Sequence, residues 1–404
     1  MTLNAKRQML KDKTIVLGVT GSIAAYKIAG LASALVKEGC KVHVVMTRNA
    51  TNFINPITFE TLTGNKCLVD TFDRNFEFNV EHVSLAKRAD VILVAPATAN
   101  VIGKMANGIA DDMLTTVLLA AQCPIIVSPA MNTNMYRNAF VQENMQKLRD
   151  HGIEVIPPQV GRLACADVGE GKMPEIDVLM AYLRKAVAYA KDMKGLRVVV
   201  TAGPTLEPID PVRFISNHST GKMGFAIARA AMERGADVTL ICGNTNLQPP
   251  LLINTIKVLT AQQMLEAVSD NFPQSDILIK AAAVADFTPA TYHDEKVKKK
   301  DGNMAIELKR TADILRQVAS MKKPGQIVCG FSMETENMIE NSKRKLEEKN
   351  LDMIVANNLK TAGAGFGVDT NVVTFITKDT ITELPIMMKE EVAHKLLDEI
   401  LKMR

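Results

Sequence analysis

The sequence predicts an α/β protein built from two Rossmann-like, three-layer domains. Three observations carry that prediction. Short apolar runs alternate with stretches of helical periodicity, the pattern of parallel strands joined by crossover helices. The pattern restarts near residue 193. The chain's 404 residues are too many for one ordinary core, so two units of about 200 residues each are expected.

TIVLGVT, over 14–20, reads as a buried strand, and GSIAAYKIAGLASALVKEG as a turn and helix. Ile28, Leu31, Leu35 and Val36 share one helical face, and Gly39 ends it. KVHVVMT, ADVILVAPAT and CPIIVSPAM give the second, third and fourth strands. A helical VLMAYLRKAVAYAKDMKG then leads into LRVVVTAGPT, the first strand of the second domain. Met223, Ile227, Ala230 and Ala231 mark the helix before ADVTLICG. SDILIKAAAVADF, QIVCGFSMET and LDMIVANN read as further strands, and NVVTFIT with ITELP as a terminal hairpin. The boundary is placed so that the domains span 1–193 and 194–404.

Composition narrows the function. A net charge of +4 is too mild to argue for nucleic acid but suits anionic small molecules. Aromatic residues make up 4% and Trp is absent, which disfavours a base-stacking platform. Cys40, Cys67, Cys123, Cys165, Cys242 and Cys329 form no CxxC pair, so neither a zinc site nor a disulfide framework is expected, and a reducing cytoplasm is. MTLNAKRQMLKDK has no apolar secretory core, and no run of 18 apolar residues exists to span a membrane.

Open α/β sheets bind ligands beyond the carboxyl ends of their strands. GVTGSIAAYK places Gly18, Gly21 and Ser22 where a strand turns into a helix, a setting that favours a phosphate. The spacing is GxxGS rather than GxGxxG, and a tight turn without a ligand uses the same residues. Thr98 and Asn100 follow the third strand, as ligand contacts or as helix caps. In PAMNTNMYRN, Met131 and Met135 flank Asn132, giving an apolar pocket with one amide, or simply core filling. His82 stands at a helix start, where a histidine is commonly a surface residue. Cys165 lies in GRLACADVGEGKMPE, which has no strand pattern and reads as a flexible loop of the kind that closes over sites.

Together, GSIAAYK, EHVSLAKRADVILVAPATAN, PAMNTNMY and ACADVGEGKMPE, in that order across 14–180, resemble the flavin-dependent cysteine decarboxylase family. The resemblance implies a flavodoxin-like flavoprotein domain with FMN contacts from Gly21, Ser22, Ile23, Thr47, Thr98 and Asn100. It implies His82 as the active-site base, Asn132 as the grip on the substrate carboxylate with Met135 beside the substrate, and Cys165 as the acid that reprotonates the product. The family's motif often ends Met-Trp; here it ends Met135-Tyr136, still aromatic. In that family an N-acyl cysteine lacks an electron sink for CO2 loss, so its thiol is first oxidised to a thioaldehyde and later re-reduced. A thiol with an unperturbed pKa of about 8.5 suits the closing proton transfer.

In the second half, VTAGPTLEPIDPVRFISNHSTGKMGFAIA is the densest motif. Gly203, Pro204 and Thr205 follow a strand, and Arg213 and Asn217 precede STGKMG, whose spacing is not that of a P-loop. KAAAVADFTP carries Asp286 at the end of another strand. Lys296, Lys298, Lys299 and Lys300 read as a solvated basic loop or as an arm that neutralises a triphosphate. Lys345 and Lys349 share one side of a helix, as an exposed face or as ligand contacts.

With KNLDMIVANN, these segments resemble phosphopantothenate–cysteine ligase over about 194–400. The resemblance implies that CTP activates the phosphopantothenate carboxylate as an acyl-cytidylate, from which the cysteine amine displaces CMP. It implies CTP contacts from Ala281, Ala282, Ala283, Asp286, Lys296, Ala312, Asp313, Ile314, Leu315, Phe331, Lys345 and Lys349. Arg213 and Asn217 then hold the substrate or acyl intermediate, and Asn217 and Lys296 count as catalytic. Mg2+ is expected with the triphosphate, on ligands the sequence does not name. The product of this half is the substrate of the other, so two consecutive steps of coenzyme A synthesis are implied. So is a homo-oligomer, a dodecamer of trimeric decarboxylase and dimeric ligase domains, with no nucleic-acid or membrane partner. The rivals are a decarboxylase of peptide C-terminal cysteine and a non-catalytic flavoprotein. The ligase half argues against the first, and the set His82, Asn132 and Cys165 against the second.

Overall fold

The computed structural model describes residues 10–72, 81–162, 168–298, 305–334, 337–358, 365 and 367–404. The chain divides into two compact units, Met1–Tyr189 and Ala190–Arg404.

The first unit has a five-stranded parallel sheet of β1 (Thr14–Val19), β2 (Lys41–Met46), β3 (Val91–Ala97), β4 (Ile125–Pro129) and β5 (Glu154–Val155), in the order β2-β1-β3-β4-β5. The strands are apolar on both sides because both faces are covered. Val16, Ile92, Val94 and Val127 pack on α3 (Glu81–Arg88), α4 (Ala99–Ala106), α5 (Met113–Ala120) and α7 (Ala139–Asp150). The opposite face carries α1 (Ala25–Lys37) and α8 (Ile176–Val187), which pack together. Gly39 ends α1 with φ +78, a left-handed conformation that glycine adopts without strain. The remaining helices are α2 (Pro56–Thr63) and α6 (Thr133–Arg137).

The segment read as a loop around Cys165 is flanked by an antiparallel pair, β6 (Gln159–Arg162) and β7 (Val168–Lys172). Cys165 itself lies outside the described residues. The helix expected to run on toward residue 195 stops at Val187.

The second unit opens with β8 (Arg197–Ala202), followed by a short antiparallel pair, β9 (Leu206–Pro208) and β10 (Phe214–Ser216). Its main sheet adds β11 (Asp237–Cys242), β12 (Asn254–Lys257) and β13 (Ile277–Lys280). A second small pair is β14 (Phe287–Pro289) with β15 (Leu308–Arg310). The main sheet is completed by β16 (Ile327–Glu334), β17 (Met353–Asn358), β19 (Val373–Thr377) and β20 (Ile381–Glu383); β18 (Thr370–Asn371) pairs elsewhere, with β21 (Met387–Met388).

The order β12-β11-β8-β13-β16-β17 is parallel and reverses between β8 and β13, the doubly wound arrangement. The expected hairpin is β19 with β20, added antiparallel at the edge. Val198 and Val200 pack on α9 (Lys222–Glu233) and α13 (Lys389–Lys402). Val199 and Leu278 pack on α10 (Ala261–Asn271), α11 (Ile314–Met321) and α12 (Met338–Glu348). SDILIKAAAVADF yields only the four residues of β13, because the chain beyond Lys280 leaves the sheet to line the crevice. Among the described residues no helix is long and apolar enough to cross a membrane.

Candidate active sites

In the first unit the strand order reverses between β1 and β3, and the segments after them border a crevice. Thr20, fully buried after β1, donates its hydroxyl to the Pro96 carbonyl at 2.6 Å and accepts the Thr98 N–H at 3.1 Å. One side chain thus ties the two lips of the crevice. On the β1 side, Gly21 and Ser22 turn into α1, whose N-cap residue, Ala24, supplies no side-chain cap. A Cβ on Gly21 would lie 2.7 Å from the Asn49 Cβ, so only glycine lets the turn lie against the segment after β2. Thr47, at the end of β2, donates its N–H to the Val19 carbonyl at 3.0 Å, which places it beside that turn. Its hydroxyl is buried and has no partner among the described residues. Such an orphan costs on the order of 1–3 kcal/mol, which a polar ligand atom would offset. Thr98 also caps α4 by accepting the Val101 N–H at 3.4 Å. Ile23 and Asn100 are exposed.

Asn132 caps α6, its Oδ1 accepting the Asn134 N–H at 2.8 Å, and Met135 is half-exposed. The β6–β7 pair is docked on this segment. Met131 donates its N–H to the Gly171 carbonyl at 3.1 Å, and the Thr133 hydroxyl donates to the Glu170 carbonyl at 2.9 Å. A Cβ on Gly171, whose φ is +123, would lie 2.2 Å from the Met131 carbonyl oxygen; one on Gly169 would lie 2.4 Å from the Thr133 Oγ1. The glycines around Cys165 are therefore docking surfaces. His82 is half-buried in the first turn of α3.

In the second unit the crevice lies between the ends of β8 and β13. Gly203 accepts the Ala283 N–H at 3.0 Å, and the Thr205 hydroxyl accepts the Ala285 N–H at 3.0 Å. Gly203 meets Gly221 at the start of α9, where a Cβ on Gly221 would lie 3.2 Å from the Gly203 nitrogen. Asn217 donates its amide to the carbonyls of Ala283 and Val284, each at 3.2 Å, and so joins the Ala281–Ala283 segment.

Arg213 pairs with the buried Asp210 at 2.8 Å and donates to the Val297 carbonyl at 2.5 Å. Burial alone would raise the Asp210 pKa. The N–H groups of Val212, Arg213 and Val297 and the Arg213 guanidinium outweigh it and hold the carboxyl at about 2. This knot anchors the start of the lysine run, where Lys296 and Lys298 are exposed; Lys299 and Lys300 lie outside the described residues.

Asp286, exposed, accepts the Thr311 N–H on its carbonyl at 3.0 Å, which brings Ala312 and Asp313 alongside. Asp313 caps α11 through the N–H groups of Leu315 and Arg316 and pairs with Lys349 at 3.0 Å. Although burial opposes it, Lys349 holds the Asp313 carboxyl below its usual range. Ile314 and Leu315 are buried in the core. Lys345 donates to the hydroxyl of Ser332, the neighbour of Phe331, at 3.3 Å. Lys280, at the end of β13, feels Lys349, Asp313, Asp286 and Lys345.

The Flavoprotein family model matches residues 3–188, and that of the DNA/pantothenate metabolism flavoprotein C-terminal domain matches residues 193–403. The chain is 50% identical over 396 residues to the coenzyme A biosynthesis bifunctional protein CoaBC of Bacillus subtilis (strain 168), covering 97% of each chain. The chain belongs to this bifunctional family. The CoaBC protein of Vibrio vulnificus (strain YJ016) is 42% identical over 395 residues, 97% of this chain and 98% of that one. A cysteine/cysteine sulfinic acid decarboxylase from an unknown prokaryotic organism is 46% identical over 354 residues, 86% of this chain and 99% of that one.

Both domains of the bifunctional family fall within the two compact units. Three residues at the two crevices escape sequence reading. Thr20 looks like an ordinary strand end, and its role depends on a strand 76 residues away. Asp210 lies inside a recognised motif, but only the fold shows it buried beneath Arg213. Lys280 had a visible signal: it is the one charged residue in the run ILIKAAAVA.

Proposed function

We propose that the chain catalyses two consecutive steps of coenzyme A biosynthesis. The second unit condenses 4'-phosphopantothenate with cysteine at the expense of CTP. The first removes CO2 from the resulting 4'-phosphopantothenoylcysteine to give 4'-phosphopantetheine. The observation that supports this reading best is the likeness to bifunctional relatives over 97% of the chain, laid over two separate switch-point crevices.

FMN fits the first crevice. Gly21 and Ser22 at the start of α1 would hold its phosphate, and the orphaned Thr47 hydroxyl would gain a partner, with Thr98 and Asn100 on the opposite lip. When bound, the flavin supplies the two-electron sink that an acyl-cysteine carboxylate lacks. Asn132 grips the carboxylate, His82 takes up a proton as base, and Met135 lines the substrate. Cys165, between the two docked strands in sequence, returns a proton to the product. The other five thiols are poor donors for that step. Burial pushes Cys40 and Cys67 up to about 12 and Cys242 to about 11, and raises Cys123 and Cys329 as well.

In the second crevice, Lys296, Lys345 and Lys349 offset triphosphate charge while the substrate carboxylate attacks the α-phosphorus and pyrophosphate leaves. Asn217 holds the acyl-cytidylate against the Ala281–Ala283 segment, and cysteine's amine displaces CMP. Arg213, braced by Asp210 and the Val297 carbonyl, holds the substrate or acyl intermediate together with Asn217. Mg2+ is assigned to the triphosphate itself. Among the described residues no group of three or more His, Cys, Asp or Glu side chains gathers to hold a metal. The domain boundary at 193/194, a cytoplasmic location and a dodecameric assembly complete the proposal.

Two substitutions test the division of labour. Cys165→Ser should keep CMP and pyrophosphate release and lose CO2. Lys296→Ala should slow CMP formation while still decarboxylating supplied 4'-phosphopantothenoylcysteine. A single substitution that abolishes both activities without unfolding the chain contradicts two independent sites.

A further inference from the structure

Lys389 is a cation in a position that disfavours one. It is the first residue of α13, where the helix dipole opposes positive charge, and it is only 6% exposed. Glu390 and Glu391, which follow it, carry the sign that a helix start favours. The contacts of Lys389 run to one short segment. Its ammonium donates to the Gly365 carbonyl at 2.9 Å and to the Val368 carbonyl at 2.6 Å, and its N–H donates to the Asp369 carbonyl at 2.9 Å. Gly365, Gly367, Val368 and Asp369 follow β17 in sequence and lead into β18, which pairs with β21 just before α13. These four residues form a strap, and α9 grips it too. Lys222, the first residue of α9, donates to the Gly367 carbonyl at 2.8 Å and pairs with Asp369 at 2.7 Å. Lys222 directly follows Gly221, the left-handed N-cap that lies against Gly203 at the crevice. The Thr245 hydroxyl donates to the Thr220 carbonyl at 2.8 Å and holds the same turn independently. Farther along, Arg229 pairs with Glu390 at 3.2 Å and Arg234 with Asp398 at 2.7 Å. The two helices are thus laced along their length, and the strap is the link at their starts.

We propose that Lys389 is a positioning residue of the ligase half: it holds the strap, the strap holds Lys222, and Lys222 fixes the glycine turn that forms one wall of the second crevice. The proposal rests on the ligase reading above and adds to it a residue that acts without touching substrate or nucleotide. A neutral or acidic residue at the start of α13 would satisfy the helix better, so the strap bonds are what offset the buried charge. Gly221 has little room for a displaced turn, because a Cβ there would already lie 3.2 Å from the Gly203 nitrogen. Slack in the strap therefore reaches the crevice wall.

Steady-state CMP formation by the full-length protein, with CTP varied, tests the proposal. Lys389→Met keeps the length of the side chain and removes its donors. The KM for CTP should rise about tenfold, as a displaced turn allows, while kcat falls by no more than about threefold. Lys222→Met should raise the KM comparably. The double variant should be no worse than the worse single one, because both lysines act through the strap. Asp369→Ala, at an exposed side chain, should raise the KM about threefold. Decarboxylation of supplied 4'-phosphopantothenoylcysteine should be unchanged in all four. A Lys389→Met protein with a lowered denaturant midpoint but a wild-type KM has lost only structural support, and that result overturns the proposal. So do effects of the two lysine substitutions that multiply in the double variant. Should Lys389→Met fail to fold, an unchanged KM in both Lys222→Met and Asp369→Ala overturns it alone. A wild type that forms no CMP overturns the ligase reading, and the role of Lys389 with it.

Discussion

Thr20 holds Thr98 across the first crevice: its hydroxyl accepts the Thr98 N–H at 3.1 Å while donating to Pro96 at 2.6 Å. Thr20→Val keeps the shape and removes both bonds, leaving a buried carbonyl without a partner. The first unit should lose about 1–3 kcal/mol of stability. Bound flavin should dissociate more readily, because the two lips are no longer fixed. Urea unfolding and flavin retention on gel filtration read the two effects.

Gly171→Ala should separate the two activities. The added methyl meets the Met131 carbonyl in a backbone conformation, φ +123, that L residues rarely adopt. The β6–β7 pair, which brackets Cys165 in sequence, must then lift from the Asn132 segment. Decarboxylation should fall about tenfold or more, as misplacement by an ångström allows. CMP formation should stay near wild type. Rates of CO2 and CMP release, measured side by side, check this.

Much of this architecture was legible because burial writes itself as apolar runs. TIVLGVT, ADVILVAPAT and LRVVVTAGPT became β1, β3 and β8, and the turns after them became crevice walls. The β6–β7 pair was not legible. Its glycines are set by contact with Met131 and Thr133, not by alternate burial, so no period of two appears. Arg213 was read as a ligand residue from its motif, but its partner Asp210 was invisible until the fold buried it. Lys345 and Lys349 read as an exposed face or as ligand contacts, but nothing in α12 announces that it ends against Asp313.

Asp210 should give the second unit an acid-dependent anchor. Its folded pKa, about 2, lies below the unfolded value of about 3.9. Its contribution is therefore complete above the unfolded pKa and fades as pH falls toward the folded one. Asp210→Asn should lower the denaturant midpoint at neutral pH, and the gap to wild type should narrow between about pH 4 and 2. Freed from the knot, the chain near Val297 should also be cut faster by trypsin at Lys296 and Lys298.

Lys349→Ala should damage the ligase more than the fold. Its pair with Asp313 is partly exposed, and such pairs contribute at most about 1 kcal/mol. The KM for CTP should nonetheless rise about tenfold. A thermal shift alongside steady-state kinetics separates the two effects.

One chain is proposed to couple CTP-driven condensation to decarboxylation. The relative named as a cysteine/cysteine sulfinic acid decarboxylase makes free cysteine the competing substrate. Cysteine labelled at its carboxyl carbon decides between them. With 4'-phosphopantothenate, CTP and Mg2+ present, labelled CO2 should appear in the same amount as CMP, and neither should appear when 4'-phosphopantothenate is left out. Labelled CO2 from cysteine alone, or CMP with the label retained in the product, would contradict the account.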